Sequence, residues 1–181
     1  QKYLSSVMDK PGFPVMNYHI YAIVSDGDLM EGISSEAASL AGHLKLGNLI
    51  YLYDDNHISI EGDTEIAFTE NVEKRFEAFG WHVQVVDDGN DVDEISEAIS
   101  KAVNATDKPS LIKVRTHIGF GSPNKVNSES SHGSPLGDEE LRLTKINLGF
   151  DPDKKFHVDD DVLDHFRKRG LKGANENSEW R

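Results

Sequence analysis

The sequence predicts an α/β fold in which a parallel β-sheet is flanked by helices. Four short apolar runs have the length and composition of buried strands, and segments whose apolar residues recur at helical spacing separate them. Polar turns that contain glycine follow three of these runs. Strands and helices that alternate in this order form parallel sheets with right-handed crossovers, and such sheets bind ligands beyond the carboxyl ends of their strands.

The first two strands are predicted at 18–24 and 48–53, each as a strand buried on both faces. Between them, the segment 31–46 is predicted to be a helix. We expect its larger apolar side chains to cover the sheet, namely Ile33, Ala37, Leu40 and Leu44. Its small residues would then pack closely against a partner, namely Gly32, Ser35, Ala38, Ser39 and Gly42. The alternative is a core helix, which would also have two such faces.

The second half of the chain continues the alternation, with helices predicted at 70–80 and 91–103 and strands at 81–86 and 110–116. The acidic segment 87–91 is interpreted as a turn, because it lacks the ligand spacing and distal glutamate of a calcium loop. Two short surface helices are predicted at 137–149 and 159–170. We therefore expect an α/β domain at 1–150 and a C-terminal linker or helical extension at 151–181.

Composition narrows the possible functions. The 181 residues carry a formal net charge of −13, which opposes binding to nucleic acid and to anionic membranes. The absence of cysteine excludes disulfides, thiol nucleophiles and cysteine zinc sites. No apolar run approaches the roughly 20 residues of a membrane span. We expect a cytoplasmic location and, because the chain starts at Gln1 without a methionine, a place within a longer protein.

Two strand ends carry oxygen ligands that suit a hard cation. Asp26 follows the first strand and Asn56 follows the second, and carboxylate and amide oxygens are what Mg²⁺ or Ca²⁺ prefers. Gly27 would let the backbone approach a phosphate at the start of the next helix. The alternative is that Asp26 and Asn56 only cap turns, as both residue types often do. The residue pattern does not decide between these interpretations.

Other motifs carry less chemical information. His132 lies in a polar, glycine-rich loop, where a histidine is available to a ligand, although an ordinary surface loop is the simpler interpretation. The segment 119–122, "GFGS", lacks the third glycine and the helix of a dinucleotide-binding fingerprint. The histidines show no spacing typical of a metal site.

The segment 25–83, which begins "SDGDLMEGISSEAASLAGHLKLGNLIYLYDDNHISIEGDTEIAFTE", resembles the thiamine diphosphate-binding segment of transketolases nearly throughout. "KPSLIKVRTHIGFGSPNK" and "SHGSPLG" continue the resemblance in order, to about residue 150. Thiamine diphosphate enzymes share a Gly-Asp-Gly motif followed roughly thirty residues later by an asparagine motif. Here Ser25-Asp26-Gly27 leads to Asp54-Asp55-Asn56.

The resemblance implies a role for each matching residue. The side chains of Asp26 and Asn56 and the carbonyl of Ile58 would bind Mg²⁺ or Ca²⁺, and the amide of Gly27 would meet the diphosphate. Ile60 and Ile118 would pack against the cofactor rings. His132 would reach the diphosphate and the reacting centre as the catalytic residue, and Glu31 would lie at the contact of a homodimer.

Ser25 departs from the glycine that the family usually has. If this position needs a positive φ, serine costs about 1 kcal/mol, and if it lies in the β region serine costs nothing.

The function implied by the resemblance is transfer of a two-carbon ketol unit from a ketose phosphate to an aldose phosphate, a reaction of the pentose phosphate pathway. The glutamate that activates the cofactor in the family is outside this chain, so we expect the chain alone to be inactive. Three possibilities remain open: a segment or subunit of a transketolase, a segment of another thiamine enzyme such as dihydroxyacetone synthase, and a non-catalytic remnant.

Overall fold

Four parallel strands form the central sheet of the computed structural model, which describes residues 1–12 and 14–180. The strands of the chain are β1 (Ile20–Ser25), β2 (Leu49–Asp55), β3 (Ile58–Ser59), β4 (Gly62–Asp63), β5 (His82–Val86) and β6 (Ser110–Arg115). The spatial order of the sheet is β1-β2-β6-β5, and β3 and β4 form a separate small hairpin. All three strand pairs of the sheet are parallel, as the alternation predicts.

Helices connect and flank the strands, and two of them differ from the prediction. The helices are α1 (Lys2–Met8), α2 (Asp26–Met30), α3 (Gly32–His43), α4 (Val72–Ala78), α5 (Val92–Asn104), α6 (Asp138–Asn147) and α7 (Asp160–Trp180). The short helix α2 occupies a segment that the sequence predicted as a turn. The predicted short helix at 159–170 is wrong in length, because α7 continues to Trp180 and has 21 residues.

Two apolar clusters pack on the sheet. One contains Phe76 and Trp81 and joins α3 and α4 to the sheet. The other contains Ala98 and Ala102 of α5 together with Ile50, Val86 and Ile112 of the strands. The amphipathic character of α5 is therefore confirmed, although Val92, at its start, is 74% exposed.

Helix α3 packs on the core through Ala38 and Ala41 and not through the larger apolar side chains that were predicted to cover the sheet, although Gly32 and Ser39 of the predicted small-residue face are exposed. Ala38 and Ala41 are buried, whereas Ile33, Leu40 and Leu44 are 68%, 56% and 51% exposed. The indole Nε1 of Trp81 donates a hydrogen bond to the carbonyl of Ala38 at 2.8 Å. Only small side chains allow this close approach, so the larger apolar side chains of α3 point away from the sheet.

Strand β1 lies at an edge of the sheet and is not buried on both faces, contrary to the prediction. Tyr21 is 50% exposed and Ile23 is 79% exposed. Within residues 1–12 and 14–180, none of the helices has the length and apolar character required to cross a bilayer.

Candidate functional site

The three predicted ligand-bearing turns lie at one edge of the sheet. Asp26 directly follows β1, Asn56 directly follows β2, and Ile118 comes shortly after β6. The register brings the strand ends together, because Ser25 pairs with Asp54 on the neighbouring strand. The parallel topology thus collects residues from distant parts of the sequence at the carboxyl edge.

The turn after β1 is built without strain. Ser25 has φ −115° and ψ 177°, which is extended backbone, so the serine has no conformational cost here. Its backbone N–H and its hydroxyl both lie within hydrogen-bond distance of Asp28 Oδ2, at 2.8 and 2.9 Å. The guanidinium of Arg75 donates to the carbonyl of Leu29 at 3.1 and 3.2 Å, which fixes the other end of α2. Helix α2 is therefore held at both ends.

Asp26 is a buried carboxylate with one oxygen unused. The side chain is 3% exposed, the Tyr53 hydroxyl donates a hydrogen bond to Oδ1, and Oδ2 has no partner within the described residues. Burial raises the pKa of Asp26 above its usual value, and the hydrogen bond from Tyr53 opposes this effect. The residues that cap α2 are Ser25 and Asp28, so the interpretation of Asp26 as a turn cap is wrong.

Asp26 opens into a polar recess of about 280 Å³. Asp55 lies in this recess and is 5% exposed, and its carboxylate contacts Lys113 Nζ at 3.3 Å and His57 Nε2 at 3.2 Å. Lys113 also contacts Glu73 at 2.9 Å. Burial lowers the pKa of Lys113, but its contacts with Glu73 and Asp55 outweigh that effect and leave the pKa raised. Lys113 therefore compensates the charge of Asp55, while Asp26 lacks such a partner among the described residues.

Asn56 is held by its neighbours in a fixed orientation. Its Oδ1 accepts the N–H of Ile58 at 2.9 Å, and its Nδ2 donates to Asp54 Oδ2 at 3.3 Å. The hydroxyl of Thr116 donates to the other oxygen of Asp54. Asn56 thus forms the turn that the alternative interpretation proposed. An amide oxygen has two acceptor positions, so this turn leaves one position for a cation.

Asn56, Ile118 and His132 line one groove of about 620 Å³, together with the apolar side chains of Ile23 and Val114. Asp26 lines the adjoining recess instead, and Tyr53 borders both cavities. The structure therefore brings three of the predicted residues into a single groove and places the carboxylate beside it.

His132 belongs to a loop that is anchored from α6. Glu140 accepts hydrogen bonds from the hydroxyl of Ser122 and from the backbone and side-chain nitrogens of Asn124. These hydrogen bonds hold the pKa of Glu140 below its usual range. The carbonyl of Lys125 accepts the Ser131 hydroxyl at 2.7 Å, directly before His132. The hydrogen bonds made by Glu140 and by the carbonyl of Lys125 thus set the position of the loop that carries His132.

Of the remaining predicted residues, three are exposed and one is half-buried. Gly27 is exposed, and a Cβ built on it would meet no atom within 4 Å. Ile60 lies in the β3–β4 hairpin and is 72% exposed, and Glu31 is exposed between α2 and α3. Ile58, whose carbonyl is the third predicted cation ligand, is half-buried in β3.

No group of three or more His, Asp or Glu side chains in the described part of the chain is arranged to hold a metal ion. The predicted ligand set is of a different kind, because it combines one carboxylate, one amide and one backbone carbonyl. The unpartnered Oδ2 of Asp26 fits a cation ligand, since a buried carboxylate oxygen needs a hydrogen-bond donor or a positive charge. The amide oxygen of Asn56 also fits, because it is the hard donor type that Mg²⁺ and Ca²⁺ bind.

The polar recess was not predicted from the sequence, and it contains Tyr53, Asp55, His57, Glu73 and Lys113. Two signals were available. Tyr53 and Asp55 are two residues apart in a strand and so lie on the same face. Lys113 is a charged residue that stands between apolar residues of β6, and such a residue usually has an acidic partner.

A protein-family model described as "Transketolase, thiamine diphosphate binding domain" matches residues 1–181. Among curated proteins, the chain is 56% identical to "Transketolase-1, chloroplastic" of Arabidopsis thaliana over 99% of the chain and 24% of that protein. It is 52% identical to a transketolase of a Nostoc strain, over 99% of the chain and 27% of that protein. The chain therefore spans about a quarter of the length of the curated relatives that it matches.

Solved structures show the same similarity. The transketolase of Leishmania mexicana superimposes with a TM-score of 0.92 and 42% sequence identity, over 98% of this chain and 26% of that chain. A transketolase variant from Pichia stipitis superimposes with a TM-score of 0.92 and 41% identity, over 98% and 26% of the two chains.

Proposed function

The chain belongs to the transketolase family, because the model of the thiamine diphosphate binding domain of that family matches residues 1–181. We propose that the chain supplies the diphosphate- and cation-binding part of an active transketolase. It would act within a longer polypeptide or together with a complementary chain. The relatives that it matches are about four times longer, so the rest of the catalytic apparatus would lie elsewhere. The isolated chain is then expected to be inactive.

The observation that carries this proposal is the unpartnered Oδ2 of the buried Asp26. A cation bound there would compensate the carboxylate charge, which is otherwise unfavourable in a buried position. Asn56 and the carbonyl of Ile58 would complete the protein ligands. Gly27 follows Asp26 directly, and its exposed backbone leaves space for the amide to meet a diphosphate.

The proposed reaction is transfer of a two-carbon ketol unit from a ketose phosphate to an aldose phosphate. Related structures from Pichia stipitis are described as complexes with fructose 6-phosphate and with xylulose 5-phosphate, which supports this substrate class. Thiamine diphosphate, when bound, supplies the carbanion chemistry of such transfers. His132 would donate a hydrogen bond to a developing oxyanion or move a proton, which typically contributes ~10²–10⁴-fold to a rate. Ile118 would contact the cofactor rings. Ile60 would also contact them after the β3–β4 hairpin had moved towards the cofactor.

A homodimer is proposed as the working assembly. The exposed apolar side chains of α3 support this arrangement, namely Ile33, Leu40 and Leu44, with Glu31 next to the helix. In this proposal the larger apolar side chains of α3 would meet the partner, instead of the small residues that the sequence predicted for that contact. Ultracentrifugation of the active enzyme tests it, and an active monomer would contradict it.

The identity of the cation, the domain boundary and the site of action are also proposed. Mg²⁺ is the expected cation, with Ca²⁺ as the alternative. Residues 1–150 are proposed as the binding domain and 151–181 as its extension. A cytoplasmic site of action in a pentose phosphate pathway is expected, and subcellular fractionation with activity measurements would test it.

The test of the proposed function compares Asp26→Ala and His132→Ala in the complete enzyme. Calorimetric titration with thiamine diphosphate and Mg²⁺ should show no retention of cofactor by Asp26→Ala. His132→Ala should lower kcat more than it weakens cofactor binding. Asp107→Ala, an exposed acid before β6 at the opposite edge of the sheet, is the matched control. Unchanged cofactor affinity in Asp26→Ala would contradict the assignment, and ketol transfer by the 181-residue chain alone would contradict the division of the catalytic apparatus.

A further inference from the structure

The loop that follows His132 is tied to the rest of the protein by one lysine. Among the residues that the structure describes, 133–136 take part in one hydrogen bond, which Lys125 Nζ donates to the carbonyl of Leu136 at 2.9 Å. Gly133 has a φ of +69°, and a Cβ built on it would meet no atom within 4 Å, so packing does not restrain the backbone there. The position of this loop therefore depends on the lysine.

The same lysine also contacts the segment before His132. The carbonyl of Lys125 accepts the hydroxyl of Ser131 at 2.7 Å, and the backbone N–H of Lys125 donates to Ser122 Oγ at 3.1 Å. The Ser122 hydroxyl in turn donates to Glu140 of α6. Lys125 is half-buried, whereas His132 is exposed and its imidazole has no hydrogen bond within the described residues. Lys125 is thus an anchored residue that holds the chain on both sides of a free imidazole.

The contact at Leu136 is of the stronger kind. A hydrogen bond donated by an ammonium group is shorter and stronger than one between two neutral groups. Within the part of the chain that the structure describes, Lys125 forms no ion pair, so no carboxylate competes with the Leu136 carbonyl for the ammonium. The aliphatic stem of Lys125 therefore spans the loop and places its charge on a backbone acceptor.

We propose that the Lys125 ammonium is a positioning residue for His132, because it closes the loop around the histidine and keeps the imidazole at the reacting centre. This inference rests on the proposed function, in which His132 acts on the reacting atoms. A misplacement of about 1 Å can lower a rate by about 10²-fold, so a loosely held loop would place the imidazole correctly only part of the time. Lys125 itself contacts neither the cofactor nor the sugar in this proposal.

Lys125→Met tests the inference, because it keeps an unbranched stem and removes the hydrogen-bond donors. Ketol-transfer kinetics and calorimetric titration with thiamine diphosphate are measured on the complete enzyme with Mg²⁺. Loss of a hydrogen bond to a charged group typically changes an equilibrium by about tenfold or more, and we therefore expect kcat to fall by about tenfold. The dissociation constant of the cofactor should change much less, because the proposed cation ligands are untouched. Equal losses in kcat and in cofactor affinity would indicate a general structural role and would overturn the inference.

Two further variants control for charge and for the donor. Lys125→Arg retains a cationic donor and should restore most of kcat. Lys108→Met is the matched control, because Lys108 is an exposed lysine before β6 at the opposite edge of the sheet, and its loss changes the net charge equally. It should leave kcat unchanged. The inference is wrong if Lys125→Met is as active as this control, or if Lys125→Arg is as slow as Lys125→Met.

His132→Ala shows whether Lys125 acts through the histidine. In the His132→Ala background, Lys125→Met should lower kcat no further, since the group that it positions is absent. A similar decrease in both backgrounds would place the role of Lys125 elsewhere and would overturn this inference alone. If His132→Ala by itself leaves kcat unchanged, the catalytic role of His132 in the proposed function fails.

A last measurement does not depend on the folding of a variant. In crystals of the wild-type holoenzyme with a bound ketose phosphate, Lys125 Nζ should still contact the carbonyl of Leu136. A contact between Nζ and the sugar phosphate or the cofactor would overturn the inference, because Lys125 would then be a binding residue.

Discussion

Gly42→Ala adds one methyl group where α3 touches the core, and it should destabilise the protein strongly. A Cβ built on Gly42 would overlap the carbonyl oxygen of Phe79 and would lie 2.9 Å from its carbonyl carbon. Real Cβ atoms do not come this close to backbone atoms, and a carbonyl group cannot rotate out of the way as a side chain can. Helix α3 must therefore move away from the loop that precedes β5.

The size of the effect follows from the type of obstacle. Extra methyl or methylene groups in a packed interior typically cost about 1–3 kcal/mol, and the rigid backbone at Phe79 places this substitution at the upper end. For a chain of this length, about 3 kcal/mol corresponds to a decrease of roughly 6–12 °C in melting temperature. The shift would also break the hydrogen bond from Trp81 to Ala38.

Thermal unfolding followed by tryptophan fluorescence and circular dichroism measures this effect. Gly32→Ala is the matched control, because Gly32 lies in the same helix and a Cβ there would meet no atom within 4 Å. It should leave the melting temperature unchanged or slightly raised. If Gly42→Ala behaves like Gly32→Ala in stability and instead changes the association of subunits, the small residues of α3 face a partner and the orientation described above is wrong.

Three further substitutions test the site. Glu140→Gln should make the stability of the protein depend less on pH in the acid range. The pKa of Glu140 is lowered in the folded protein, so its carboxylate adds stability at pH values above the unfolded-state pKa of about 4.3. In the wild type this added stability is lost as the pH falls through the folded-state pKa. Melting temperatures from pH 3 to 7 measure this, and an unchanged acid limb would contradict it. Asp26→Asn should stabilise the metal-free protein by about 1 kcal/mol, because it removes an incompletely paired buried charge; a lower melting temperature in EDTA would show instead that the carboxylate is structural. Arg75→Lys should cost about 1–2 kcal/mol by loss of a hydrogen bond at Leu29, and urea unfolding equal to wild type would refute the anchoring of α2.

The sheet and its order of elements were predictable, because buried runs and helical spacing are local patterns. The carboxyl edge was also predictable, since parallel strands must end on the same side. The face of α3 that is buried against the core was not predictable. Large apolar residues such as Leu40 and Leu44 suggested the core face, but the distance between α3 and Trp81 admits only small side chains. That distance depends on a residue about forty positions away, which no local pattern contains.

The candidate site was predicted in part for the same reason. Asp26, Asn56, Ile118 and His132 stand out as residue types in glycine-containing loops. The polar recess cannot be recognised in the sequence in this way, because its ion pairs depend on the register of distant strands. Lys113 of β6 and Asp55 of β2, for example, form an ion pair at 3.3 Å. Such a register is a property of the assembled sheet.

The position of β6 in the sheet determines when the site can assemble during synthesis. β6 is the last strand in the sequence, yet it lies between β2 and β5 in the sheet. Within the described residues, β6 is the only strand with which β5 pairs. At a synthesis rate of about 5–20 residues per second, β1 and β2 can pair several seconds before residues 110–115 emerge. The ends that carry Asp26 and Asn56 therefore form early, whereas β5 stays unpaired and apolar until β6 inserts. A nascent chain stalled before residue 110 should consequently depend on chaperones, and the groove wall with Ile118 and His132 would be the last part of the site to form.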